Sequence, residues 1–138
     1  MRVLAITGMT LAGKSELIRY AATKFSLPFY TMGEVVKEEV KARGLLEEST
    51  RGVADEMRVK YGPQIWAERT LEKIQKDNPP VCLIDGLRSA VELNHFKEKL
   101  GGDFYLISIC SDAKARDERR ITRARPDDHE ELASRDHR

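Results

Sequence analysis

Cysteine is scarce: Cys82 and Cys110 are the two in 138 residues, and they stand in separate apolar runs without metal-ligand spacing. Both read as small buried hydrophobes, and no disulfide is expected in a reducing compartment. Charge of one sign is lacking as well, since 24 Lys and Arg against 23 Asp and Glu leave a formal +1. Neither nucleic acid nor an acidic membrane is therefore expected as the main partner, and any basic surface is local. Long hydrophobic runs are missing: Met1-Arg2 leads into one short apolar strand, too short for a signal-peptide core or a membrane span. A cytoplasmic location is the expectation. There is no repeat, low-complexity tract or interdomain linker, so residues 1–138 read as a single domain with one core.

What remains is an alternation of short apolar strands and helical patterns. Arg2–Thr7, Pro28–Tyr30, Val81–Asp85 and Phe104–Cys110 read as strands. Ser15–Lys24, Gly33–Arg43, Ser49–Lys60, a stretch opening at Gly62-Pro63 and running to Asn78-Pro79-Pro80, and Ala90–Leu100 read as helices. Such alternation implies an α/β fold: a parallel sheet covered by helices on both faces, with ligands at the carboxyl ends of the strands.

Gly8-Met9-Thr10-Leu11-Ala12-Gly13-Lys14-Ser15 fits G-x-x-x-x-G-K-[ST] between a strand and a helix. The glycines let the backbone curl so that its N–H groups face the phosphates of a nucleotide, and the helix N-terminus adds its positive end. Lys14 would reach the β- and γ-phosphates, and the Ser15 hydroxyl would hold Mg²⁺. A turn that binds nothing is the bland alternative.

A second signal closes the third strand: Val81-Cys82-Leu83-Ile84-Asp85-Gly86-Leu87-Arg88. An aspartate ending an apolar strand can share the Mg²⁺ held by Ser15, and Gly86 permits a turn that places Arg88 above the strand ends. Alone, Asp-Gly is an ordinary turn and Arg88 an ordinary surface residue. A third signal is the arginine stripe. Arg116, Arg119, Arg120 and Arg123 share one helix face, and Arg125 leads into Pro126. The stripe reads either as a solvated face paired with Asp112, Asp117 and Glu118, or as a lid whose guanidiniums close on a transferring phosphoryl group. The acidic stretch Asp127-Asp128-His129-Glu130-Glu131 reads as a following helix N-terminus.

In this order, the three signals resemble the nucleoside-monophosphate-kinase group of P-loop proteins, most closely the archaeal adenylate-kinase-related proteins labelled dephospho-CoA-kinase-like. The resemblance implies a three-layer P-loop NTPase fold of nucleotide-kinase type with strand order 2-3-1-4, and ATP with Mg²⁺ as cofactors. It makes residues 8–15 and Arg116 donor-binding, Ser15 and Asp85 metal-holding, and Lys14, Arg88, Arg120 and Arg123 catalytic. Met32-Gly33-Glu34-Val35-Val36-Lys37 resembles the segment lining the acceptor site, with Gly33-Glu34 and Lys37 where the group has Gly-Asp and a following Arg. Acceptor-site helices over about 33–77 and a lid over about 112–126 follow. Thr10 and Leu11 stand where relatives often carry Pro and Gly, and the latter change should stiffen the loop. The resemblance also implies a further helix, a fifth strand and a base-contacting loop beyond Arg138, so the sequence is either part of a longer protein or has an incomplete adenine pocket. The implied activity is phosphoryl transfer to a small acceptor such as a nucleotide or a dephospho-CoA-like molecule. The alternative is a regulatory nucleotide-binding ATPase acting on a protein partner.

Overall fold

The computed structural model describes residues 1–123. Four strands, β1 (Arg2–Gly8), β2 (Phe29–Thr31), β3 (Val81–Asp85) and β4 (Phe104–Ile109), form one parallel sheet in the order β2-β3-β1-β4. This is the order implied by the resemblance. Parallel neighbours need crossover helices, and the sequence supplies them: α1 (Lys14–Phe25), α2 (Met32–Ala42), α3 (Thr50–Tyr61), α4 (Ile65–Asp77) and α5 (Ala90–Leu100), followed by α6 (Ala113–Arg123).

Side-chain alternation assigns the helices to faces. Val3, Ala5, Cys82 and Ile84 point to one side, where α2, α3, α4 and α5 bury Val36, Met57, Trp66, Ile74 and Phe96 around them. Ile6 and Leu83 point to the other, against Ile18, Ala21 and Ala22 of α1. The result is a three-layer α/β P-loop NTPase fold. Trp66 secures the larger layer by donating its indole N–H to the Ala54 carbonyl at 3.1 Å, so the biggest buried side chain leaves no polar atom unmet.

Several boundaries differ from the sequence reading for local reasons. Thr31 caps α2 by accepting from the Glu34 N–H at 3.1 Å, which starts the helix at Met32. Gly62 closes α3, its N–H donating to the Arg58 carbonyl, while its own carbonyl accepts from Ile65 N–H in the turn that leads into α4, so the regular helix begins at Ile65. Ser49 ends a 3₁₀ turn and makes no side-chain cap. Cys110 is exposed, a correction to its reading as buried; it lies just beyond β4, an edge strand whose Tyr105, Leu106 and Ile107 are also exposed among the described residues. Cys82, on central β3, is buried as expected. Among the described residues, no helix is long and apolar enough to cross a membrane.

Candidate nucleotide site

β1 delivers the chain to the carboxyl edge of the sheet, where residues 9–13 turn back into α1. Gly8 is required at the exit because β4 passes closely: a Cβ there would lie 2.6 Å from the Ile109 carbonyl oxygen. The loop is folded on itself by Ala12 N–H donating to the Met9 carbonyl at 3.1 Å, and Leu11 and Ala12 are buried. Gly13 occupies the N-cap of α1 in a left-handed conformation, and no side chain caps the helix. An uncapped, buried-loop helix start leaves N–H donors and the positive end of the helix dipole directed at whatever occupies the loop. That is an anion site.

Lys14 opens α1, and its ammonium contacts Asp85 Oδ1 at 3.0 Å, with both side chains partly buried. The register explains the meeting: Ile6 pairs with Asp85 in the parallel β1–β3 ladder, so the end of β3 lies beside the loop entrance. Asp85 Oδ1 also accepts from Gly86 N–H at 2.7 Å. Gly86 adopts φ +94°, and a Cβ there would sit 3.4 Å from the Met32 backbone nitrogen, so the Asp-Gly turn packs tightly on the start of α2. Ser15 and Asp85 offer a hydroxyl and a carboxylate, the hard oxygen donors Mg²⁺ takes, while the phosphate side is served by N–H groups and Lys14. The residues present therefore fit a Mg²⁺-nucleotide. Among the described residues no cluster of three His, Cys, Asp or Glu forms a self-sufficient metal site, so phosphate and water oxygens would complete the coordination.

Beyond Gly86 the backbone is held by a carboxylate that sequence reasoning missed. Glu92 is 2% exposed, and its Oε2 accepts from the N–H groups of Arg88 (2.8 Å) and Ser89 (3.2 Å), while Ser89 Oγ accepts from Glu92 N–H. This is a reciprocal capping box at the start of α5. Arg58 of α3 stands 3.9 Å from Glu92 Oε1, offsetting the buried charge. The Ser89-x-x-Glu92 spacing was the available signal. Arg88 itself is exposed, at the strand ends.

The acceptor segment is brought to the same edge, because Thr31 pairs with Asp85 and Met32 touches Gly86. Gly33, Glu34 and Lys37 lie on the first turns of α2 and are exposed; Lys37 contacts Glu34 at 3.5 Å and Glu47 at 3.8 Å.

The arginine stripe divides. Arg116 is buried, at 6% exposure. Arg119 reaches the loop, donating from Nη1 to the Leu11 carbonyl at 2.7 Å and to Ser111 Oγ at 3.3 Å. Arg120 pairs with Asp117 at 3.0 Å on the same helix. Arg123 ends α6 in backbone; Arg125, Pro126 and the acidic stretch 127–131 lie outside the described residues. Asp112 starts α6 by accepting from Ala115 N–H at 2.7 Å.

A parallel 2-3-1-4 sheet with a phosphate-loop sequence at the carboxyl end of its central strand defines a P-loop, kinase-like domain. The AAA domain family matches residues 7–133. The UPF0200 protein of Methanosarcina barkeri is 36% identical over 143 residues, spanning all of this chain and 76% of its own length. A UPF0200/UPF0201 protein of Archaeoglobus fulgidus is 39% identical over 145 residues, and the chain spans 45% of that relative. The chain belongs to the AAA domain family and, within the P-loop fold, to the UPF0200 proteins. The crystal structure of a provisionally assigned kinase from Chloroflexus aurantiacus superposes with a TM-score of 0.56 at 16% identity, covering 92% of this chain and 71% of that one, a likeness of fold.

Proposed function

We propose that the chain binds ATP with Mg²⁺ and transfers the γ-phosphoryl group to a small acceptor. One observation carries this reading: the uncapped start of α1 and the Lys14–Asp85 contact at 3.0 Å share the sheet edge at which α2 and the Arg88 turn also meet. In this reading the donor cradle, the metal carboxylate and the cationic acceptor side share that edge. Bound Mg²⁺ would supply neutralisation of the nucleotide's phosphate charge. The protein's own part is positioning. Lys14 would give up Asp85 for phosphate oxygens, Ser15 and Asp85 would hold the metal, and the loop amides would hold the α- and β-phosphates. Arg88 orients an acceptor phosphate from a backbone fixed by Glu92. Arg120 would exchange Asp117 for the transferring group; their pair is half-exposed, and such pairs contribute about 0–1 kcal/mol, so the exchange costs little. Arg123 is proposed as its companion, Arg116 as a donor-side cation, and Gly33, Glu34 and Lys37 as acceptor-side residues.

The testing experiment is a coupled ADP-release assay over a panel of nucleotides, nucleosides and dephospho-CoA. The reading expects one acceptor class to stimulate ADP release severalfold over the no-acceptor rate. Turnover indifferent to every acceptor, together with nucleotide-dependent binding of a protein, would instead establish the regulatory ATPase.

A further inference from the structure

Leu11 is the one non-glycine residue of the phosphate loop with a left-handed backbone, at φ 64°. A side chain with a Cβ disfavours this conformation, and glycine takes it freely. Something must hold Leu11 there, and two contacts do so from opposite ends of one peptide unit. The Leu11 carbonyl accepts from Arg119 Nη1 at 2.7 Å, a short charge-assisted bond, while the N–H of the same peptide, on Ala12, donates to the Met9 carbonyl at 3.1 Å. Clamping both the carbonyl and the N–H fixes the orientation of the Leu11–Ala12 peptide plane. The same Nη1 also lies 4.0 Å from where a Gly13 Cβ would stand, so it sits beside both Leu11 and Gly13.

We propose that Arg119 is a positioning residue that holds the phosphate loop in its anion-binding shape through the Leu11 carbonyl, coupling the placement of α6 to the readiness of the donor site. Arg119 acts on the loop, in the absence of nucleotide. The proposal rests on the donor-site reading for its consequence in binding, but its structural half stands without it. Leu11 creates the need: its Cβ makes the left-handed conformation costly, and the arginine from a helix more than a hundred residues downstream offsets that cost.

The test uses the full chain as wild type, R119Q, L11G, L11G/R119Q and S111A, each checked for an intact fold by circular dichroism. Amide hydrogen exchange across residues 9–13 is measured without nucleotide, and ATP-Mg²⁺ affinity and kcat are measured alongside. R119Q is expected to accelerate loop exchange about tenfold and weaken ATP binding by a similar factor, with kcat at saturating ATP within about twofold of wild type. In the L11G background, where glycine takes the left-handed conformation unaided, the same substitution should change either readout by no more than about twofold to threefold. S111A keeps the Leu11 contact and should behave as wild type. Unchanged loop exchange in R119Q would overturn the proposal, and so would an equal loss of ATP affinity in both backgrounds, which would make Arg119 a direct phosphate contact. Accelerated exchange in R119Q with no ATP binding by any variant would uphold the positioning role and remove the donor-site reading instead.

Discussion

Lys14 and Asp85 neutralise one another at 3.0 Å, and in the proposed site each would exchange the other for a ligand of opposite charge. Replacing either strands the other in a partly buried position, which is costlier than the pair is valuable. Asp85→Asn should therefore weaken the Mg²⁺ dependence of turnover, with a tenfold or larger rise in the Mg²⁺ concentration for half-activity, while changing metal-free nucleotide binding far less. An unaltered Mg²⁺ titration would take Asp85 out of the site. Away from the site, two buried acids set an alkaline limit. Burial and then the Asp77 carboxylate, which accepts from the Tyr30 hydroxyl at 2.9 Å, push Tyr30 up to about 12, and burial pushes the Cys82 thiol up to about 11. Both values lie above the ordinary ones of about 10 and 8.5, so the folded state holds these protons more tightly. Their contribution to stability is complete below about pH 8.5 and is lost as the pH rises through the interval up to about 12. Melting temperature should hold level across neutral pH and fall steadily above about pH 9, with the fall above pH 10 shallower in Tyr30→Phe.

At the scale of the element, the turn before α5 and the face of α6 hold the proposed site's cations by different devices. The start of α5 is over-determined by its capping box, and Glu92 is the keystone because its carboxylate meets two loop N–H groups and Arg58. Ser89→Ala should cost about 1 kcal/mol of stability, as loss of an N-cap does. Glu92→Gln should cost more, about 2–4 kcal/mol, since Arg58 and the Arg88 turn lose a buried charge. If Arg88 orients the acceptor, Glu92→Gln also raises the acceptor KM; chemical denaturation and initial-rate assays read the two effects separately. On α6 the prediction concerns charge geometry. Arg120→Lys keeps the charge and loses the planar fork, so kcat should fall about a hundredfold while ATP affinity stays within about threefold. Wild-type turnover in Arg120→Lys would return that residue to its surface pair with Asp117.

Over the whole molecule, what the sequence discloses depends on how local the cause is. The phosphate loop, the strand ending in Asp85 and the crossover helices arise from neighbours in the chain, and all were readable there. The sheet order came through resemblance, and the ladder Thr31–Asp85–Ile6 shows how it assembles the edge. Glu92 left a readable trace in its spacing from Ser89, but its partnership with Arg58 is a tertiary event. So is Arg119 meeting Leu11, since four arginines on one face are equivalent until the loop selects one. An apolar run looks alike at the centre and at the edge of a sheet, which is why Cys110 reads as buried; among the described residues β4 is an edge strand. Gly62 serves both helices, closing α3 through its N–H and leading into α4 through its carbonyl, and a Gly-Pro pair alone does not say where one ends and the next begins.

A Mg²⁺-nucleotide site built around Lys14 has its sharpest test in calorimetric titration of ATP into the chain. With Mg²⁺ present, wild type should bind saturably with one-to-one stoichiometry. Lys14→Ala should bind at least tenfold more weakly, because the β- and γ-phosphate charge loses its mobile cation while the amide cradle remains. Equal affinity in the two proteins, or no saturable binding by wild type, would rule out a nucleotide site at Lys14.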